Sequence, residues 1–182
     1  LIYFYVTNGN ITGLESINKK EMRMQTLNKK EIKNIINEMN ESFQSGSHKI
    51  TLPPPSFVDM NAEIIEYVKN KSITVIFPVR TNQTNPMGFM QGGYIAAAFD
   101  NAFGPLSYLV AKKPVTTIDM NVQYIRGVAN NQTVTVKASI EARGHTTIHM
   151  IGEMKTDKGK LLATATTNLL ILKIPTGGQK DE

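Results

Sequence analysis

From Thr81 to Ala111 the chain carries one charged residue, Asp100, and the run Tyr94–Val110 around it is apolar at nearly every position. A segment of that length and composition reads as a helix, and a helix apolar nearly all round has to be buried. Gly104-Pro105 lies inside it and is expected to kink or locally end it. An ionised carboxylate in such a helix costs on the order of several kcal/mol unless it is paired or hydrogen-bonded. Asp100 is therefore expected to be a buried carboxylate, either bonded to a neighbouring backbone or cation for structural reasons, or functional.

Strand patterns surround this helix. Ala62–Val68 and Ser72–Val79 read as two strands about a turn at Lys69-Asn70-Lys71. After the helix, Val115–Arg126 alternates, with Ile118, Met120, Val122 and Tyr124 on one face and Thr117, Asp119, Asn121 and Gln123 on the other. Thr133–Glu141, Thr146–Thr156 and Leu161–Ile174 continue the series, the last two joined by a turn at Asp157-Lys158-Gly159. The order predicts an α+β domain in which an antiparallel sheet wraps one long helix. One sheet cannot cover every face of that helix, which points to a partner subunit.

Upstream, Asn28–Phe43 reads as an amphipathic helix with a capping-box start at Asn28 and Glu31, and Pro53-Pro54-Pro55 forces an extended connector. We divide the chain into an extension with a helix (1–55), the main domain (56–175) and a tail (176–182). The apolar run Leu1–Val6 is too short to span a bilayer and lacks the basic flank of a signal peptide. At 182 residues, with 41% hydrophobic and 19% charged composition, one globular domain is expected.

The absence of cysteine excludes disulfides, thiolate metal sites and a cysteine nucleophile, and it suits a cytoplasmic location. The net charge of +5 suits an anionic ligand, but the basic residues are scattered, so no nucleic-acid partner is expected. No metal is expected either. His145 and His149 share a strand face but stand about 13 Å apart at ~3.3 Å per residue, too far to chelate one ion.

The loop before the helix raises the functional reading of Asp100. Gly92-Gly93 opens the helix, leaving backbone N–H groups unpaired at its positive end and open to close approach. Such a terminus can hold a developing oxyanion. Gly92 and Asp100 lie about 12 Å apart along a helix rising ~1.5 Å per residue, so one carbonyl cannot touch both. A site using both combines Gly92 of one chain with Asp100 of another on antiparallel helices, which predicts a homodimer with paired sites.

Asn85-Pro-Met-Gly-Phe-Met-Gln-Gly-Gly93, Asp100 and Thr117-Ile-Asp-Met-Asn-Val-Gln-Tyr-Ile-Arg126 together resemble the hotdog-fold acyl-CoA thioesterases of the phenylacetate-pathway (PaaI-like) branch. The resemblance runs from about Ala62 to Leu172. It implies that Asp100 is the general base or nucleophile, that the Gly92 N–H polarises the thioester carbonyl from the opposite subunit, and that Asn85 lies near the carbonyl or water. Thr117 falls where some relatives place a serine that helps hold the water, and Gly93 belongs to the same substrate-binding motif. The family commonly has His before the two glycines; here Gln91 stands there, which can orient a ligand but cannot titrate near neutral pH.

Coenzyme A belongs to the substrate, so no separate cofactor is implied. Its phosphates need cations, for which Arg126, Lys112, Lys113, Arg143, Lys158 and Lys160 are the candidates, Arg126 first because it closes the motif strand. A homodimer, extended to a dimer of dimers, is the expected assembly. Two other functions fit the same fold: a non-catalytic acyl-CoA-binding or sensor protein, suggested by Gln91, and a hydratase or dehydratase, which needs a histidine at the helix motif.

Overall fold

The computed structural model of the chain describes residues 26–27, 30–34, 36–37 and 52–173. Within them a seven-stranded antiparallel sheet runs in the order β1-β2-β3-β5-β6-β7-β4. The strands are β1 (Thr26–Leu27), β2 (Glu63–Val68), β3 (Ser72–Pro78), β4 (Val115–Tyr124), β5 (Thr133–Arg143), β6 (Thr147–Thr156) and β7 (Leu161–Ile171). Packed with the sheet are the short α1 (Pro55–Asp59) and the long α2 (Gly92–Ala111). The two strands expected before the long helix and the four after it are all present.

The sheet buries one side chain in two. Ile73, Val75 and Phe77 of β3, Val134, Val136 and Ala138 of β5, Ile148, Met150 and Met154 of β6, and Ala163, Ala165 and Leu169 of β7 turn inward, all under 4% exposed. Helix α2 lies across this face and contributes Ile95, Ala98, Phe99, Ala102, Phe103 and Leu106 to the same core. Phe99 and Phe103 stack with ring centroids 6.1 Å apart, and both rings press on Gly152 of β6. A Cβ built at Gly152 would stand 2.8 Å from Phe99 and 2.9 Å from Phe103.

That contact sets how closely the helix approaches the sheet. Gly152→Ala is expected to force the two rings off their rotamers at a cost of about 1–3 kcal/mol. Thermal unfolding should fall by roughly 2–4 °C per kcal/mol lost in a chain of this size; an unchanged midpoint would show that the rings have room to yield.

Helix α2 runs unbroken through Gly104-Pro105, which the sequence reading expected to kink or end it. Packing against five strands holds the helix across the missing proline N–H. The Ser107 hydroxyl also donates to the Gly104 carbonyl at 2.6 Å. The helix stops at Lys112, which adopts the left-handed conformation (φ 56°) and returns its N–H to the Tyr108 carbonyl.

Upstream, residues 30–34 and 36–37 are helical, Ile32 is buried at 3% exposure in the main core, and Ile36 packs on its edge. This part of the expected amphipathic helix docks on the main domain. Residues 38–51, with the remainder of that helix and most of the connector, lie outside the described residues, as do 1–25 and the tail from 174.

Strand β4 departs from the expected alternation. Thr117 pairs with Leu169 and Asp119 with Asn168, which leaves Ile118 as an extra residue in a bulge. The bulge changes the facing of everything before it. Val115 and Thr117 join Met120, Val122 and Tyr124 on the helix side, where strict alternation had put Thr117 on the opposite face from Met120.

Candidate active site

Asp100 is exposed in the protomer, not buried as the apolar run around it implied. The reason lies in which apolar residues the helix uses. The large ones face the sheet, whereas the open face around Asp100 carries Gly93, Ala96, Ala97 and Gly104, apolar by type but too small to require cover. The carboxylate has a partner: the Thr117 hydroxyl donates to Asp100 Oδ1 at 3.1 Å. The β4 bulge therefore has a direct effect on the site, since it aims Thr117 at Asp100 from across the sheet edge.

Both groups stand at the side of a cavity of about 320 Å³, lined by α2, the start of β4 and the segment leading into α1. Asp100, Gly104 and Tyr108 form one wall at successive turns of α2, Leu52 and Pro54 another, and Val115 and Leu169 the floor. Behind them, the Ser56 hydroxyl donates to Asn101 Oδ1 at 3.0 Å and Asn101 Nδ2 points to Met60 Sδ at 3.3 Å. Asn101 is 6% exposed, so this chain of bonds ties α1 to α2 beside the carboxylate. The two residues are 45 positions apart, and no local pattern announces the pairing.

The glycine loop is held from below. The Gln91 N–H donates to the Gln83 carbonyl at 2.9 Å, and the Gln91 carbonyl receives the N–H groups of Tyr94 and Ile95. Gln91 is the residue before the helix, extended (φ −65°, ψ 143°), with an exposed side chain that makes no cap bond. The first two N–H groups of α2, on Gly92 and Gly93, have no backbone partner among the described residues. The Tyr124 hydroxyl donates to the Gly92 carbonyl at 3.1 Å and its ring sits 3.3 Å from where a Gly92 Cβ would be. Tyr124 thus braces this terminus, a role the strand pattern did not reveal.

Asn85 serves the loop itself. Its Oδ1 accepts from the N–H groups of Met87 (3.0 Å) and Phe89 (3.1 Å), and its own N–H donates to the Phe89 carbonyl at 2.7 Å. Only its amide nitrogen is left to meet a ligand. An Asx turn ahead of Pro86-Met87-Gly88 was readable in the sequence, and it accounts for this Asn without any substrate.

The cations divide between the two ends of α2, about 30 Å apart at ~1.5 Å per residue. At the C-terminal end Lys113 and Arg143 line one 430 Å³ cleft together with Gly144 and His145, while Lys112 is the exposed helix cap. At the N-terminal end Arg126 follows Tyr124 and donates to the Leu161 carbonyl at 2.7 Å, near the exposed Lys158 and Lys160 of the β6–β7 turn. The histidines do not share a strand face: His145 precedes β6. His149 lies on the sheet face turned away from α2, its Nδ1 2.9 Å from Asn168 Oδ1, and Asn168 donates in turn to Asp119. No helix among the described residues is long and apolar enough to cross a membrane.

Comparison with known proteins places this geometry. Residues 87–163, which hold the glycine loop, α2, β4, β5, β6 and the start of β7, match the thioesterase superfamily. The fold is that of the hotdog proteins. It is similar to the PaaI protein of the phenylacetic acid degradation operon of Escherichia coli, at TM-score 0.64 and 15% identity over 74% of this chain and 96% of that one. It is also similar to a hypothetical thioesterase of Streptococcus pneumoniae solved with coenzyme A, at TM-score 0.61 and 20% identity over 65% and 93% of the two chains. A Streptococcus mutans protein bound to acetyl-CoA aligns at TM-score 0.60 and 20% identity, over 70% and 96%. No curated protein matches the sequence.

Proposed function

We propose that this chain, whose residues 87–163 match the thioesterase superfamily and whose fold is that of the hotdog proteins, hydrolyses acyl-CoA to a free carboxylic acid and coenzyme A. The observation that carries the proposal is the Asp100 carboxylate, bonded by Thr117 at the side of a cavity, on the same helix that begins with the Gly92 and Gly93 N–H groups, which have no backbone partner among the described residues. Similar folds crystallised with coenzyme A and acetyl-CoA support the substrate class.

Asp100 takes a proton from water, or attacks the thioester carbon itself, and the carbonyl oxygen gathers negative charge as the tetrahedral intermediate forms. The Gly92 N–H, reinforced by the positive end of α2, stabilises that oxygen. The coenzyme A thiolate then leaves and takes up a proton, the one Asp100 accepted on the general-base route; on the nucleophilic route water next hydrolyses the Asp100 anhydride, releasing the acid and restoring the carboxylate. Thr117 holds the carboxylate in one orientation, and Gln91, exposed at the helix entrance, orients the thioester without exchanging protons.

Gly92 and Asp100 lie on one unbroken helix, so the oxyanion donor for each Asp100 comes from a second copy. The open face of α2 supports this assembly: Gly93, Ala96 and Ala97 would let an antiparallel helix approach closely. Setting Gly92 opposite Asp100 in both directions places the two-fold axis at Ala96, the midpoint of the two positions. Ala96→Arg puts two long cations at the axis and is expected to yield monomers with little turnover. Light scattering after gel filtration, with a hydrolysis assay on the same fractions, checks it; an active monomer would remove the shared site.

The direct test of the function is thiol release from short, medium and aryl acyl-CoAs. Binding by calorimetry without thiol release would instead favour a sensor, the reading that Gln91 suggests. The sheet-face position of His149, away from α2, leaves the hydratase alternative without its histidine.

A further inference from the structure

The cavity beside Asp100 has a direction, and we propose that it is the acyl channel, with Gly104 setting how long an acyl chain it accepts. This rests on the thioesterase reading and extends it to the substrate. Asp100, Gly104 and Tyr108 all line the cavity and follow one another at four-residue spacing, so they form one column along α2. A chain whose thioester carbon sits at Asp100 runs over Gly104 and ends against Tyr108. The span is about 12 Å at ~1.5 Å per residue, or roughly eight to ten carbons in an extended chain of single C–C bonds near 1.5 Å.

The occupant is a neutral apolar chain, for two reasons. Asp100 is the only charged residue among those lining the cavity, so no cation there would meet a second carboxylate on the acyl group. Three of the polar side chains are committed already: Thr117 to Asp100, Ser56 to Asn101, and Asn101 to Met60. The faces left for a ligand are those of Leu52, Pro54, Tyr108, Val115 and Leu169. The pantetheine arm carries two amides that need partners, so this lining suits it less than it suits an alkyl chain.

Gly104 is where the channel is open. A Cβ built there meets nothing within 4 Å, unlike the crowded Gly152, and its backbone is helical, so a larger side chain is accommodated without backbone strain. Leucine at this position projects into the channel between Asp100 and Tyr108. Each methylene that is buried strengthens binding about fourfold, so blocking the outer half of the channel acts mainly on long chains.

The test compares acetyl-, hexanoyl- and decanoyl-CoA with wild type, Gly104→Leu and Tyr108→Ala. It uses kcat/KM for the thioesters and calorimetric Kd for their non-hydrolysable thioether analogues. Gly104→Leu should lower the decanoyl-to-acetyl ratio at least tenfold in both measurements, and Tyr108→Ala should raise it. An equal loss at every chain length, extending to free coenzyme A, would assign the cavity to pantetheine and overturn the proposal. An unchanged ratio in both variants would also overturn it. If Gly104→Leu fails to fold, Tyr108→Ala decides alone. Absence of turnover in wild type would defeat the thioesterase reading, while the analogue affinities still decide the acyl channel.

Discussion

Asp100→Asn is expected to lower kcat/KM for acyl-CoA hydrolysis by about 10²–10⁴-fold, the range spanned by a positioned general base. The substitution isolates the chemistry because almost nothing else changes. Asparagine keeps the shape and the Oδ1 that accepts from Thr117 at 3.1 Å. It differs little from aspartate in helix propensity, and the side chain is exposed, so no core contact is lost. What asparagine cannot do is take a proton from water or form an anhydride with the substrate. Affinity for the thioether analogue and the thermal midpoint should stay near wild type while thiol release collapses. A rate within twofold of wild type would remove Asp100 from catalysis.

Asp100 also shows what the sequence could and could not convey. Its isolation among uncharged residues singled it out as the group to examine, and the period of the large apolar residues located α2 and six of the seven strands. The burial inference failed because alanine and glycine count as apolar in a pattern yet expose little surface for a partner to cover. The orientation of Thr117 failed differently. A two-residue period cannot register an inserted residue, so the bulge at Ile118, which turns Thr117 toward Asp100, had no signature. The Ser56–Asn101–Met60 bonds join segments brought together only by the fold. Asn85 is the converse case: its loop-forming role was legible in Asn85-Pro-Met-Gly, and the family motif drew attention to the substrate instead.

The sorting of the cations has the same origin. Arg126 closes the motif strand in the sequence, yet its guanidinium is already engaged with the Leu161 carbonyl. Lys113 and Arg143 are 30 positions apart and share a cleft only because β4 and the end of β5 meet at the same end of α2.

Mixing two inactive variants is expected to restore activity. Asp100→Asn lacks the base. Gly92→Pro lacks the oxyanion donor, since proline has no N–H. Proline suits this position otherwise: Gly92 is the first residue of α2, where its N–H makes no helical bond, and Gln91 before it is already extended, as a residue preceding proline must be. The Tyr124 ring, 3.3 Å from a Cβ there, has to shift by a few tenths of an ångström, and it is an exposed ring at the sheet edge with space to do so. In a mixed dimer the Asp100 of the Gly92→Pro chain faces the Gly92 of the Asp100→Asn chain, giving one complete site, while the other site lacks both groups. Random reassortment of equal amounts makes half the dimers mixed with one working site in two, so about a quarter of wild-type turnover should return. If each chain used its own Gly92 and Asp100, every site in every dimer would stay defective and mixing would restore nothing. Unfolding and refolding the two chains together, then assaying thiol release against each variant refolded alone, separates a site built across two copies from one built within a single chain.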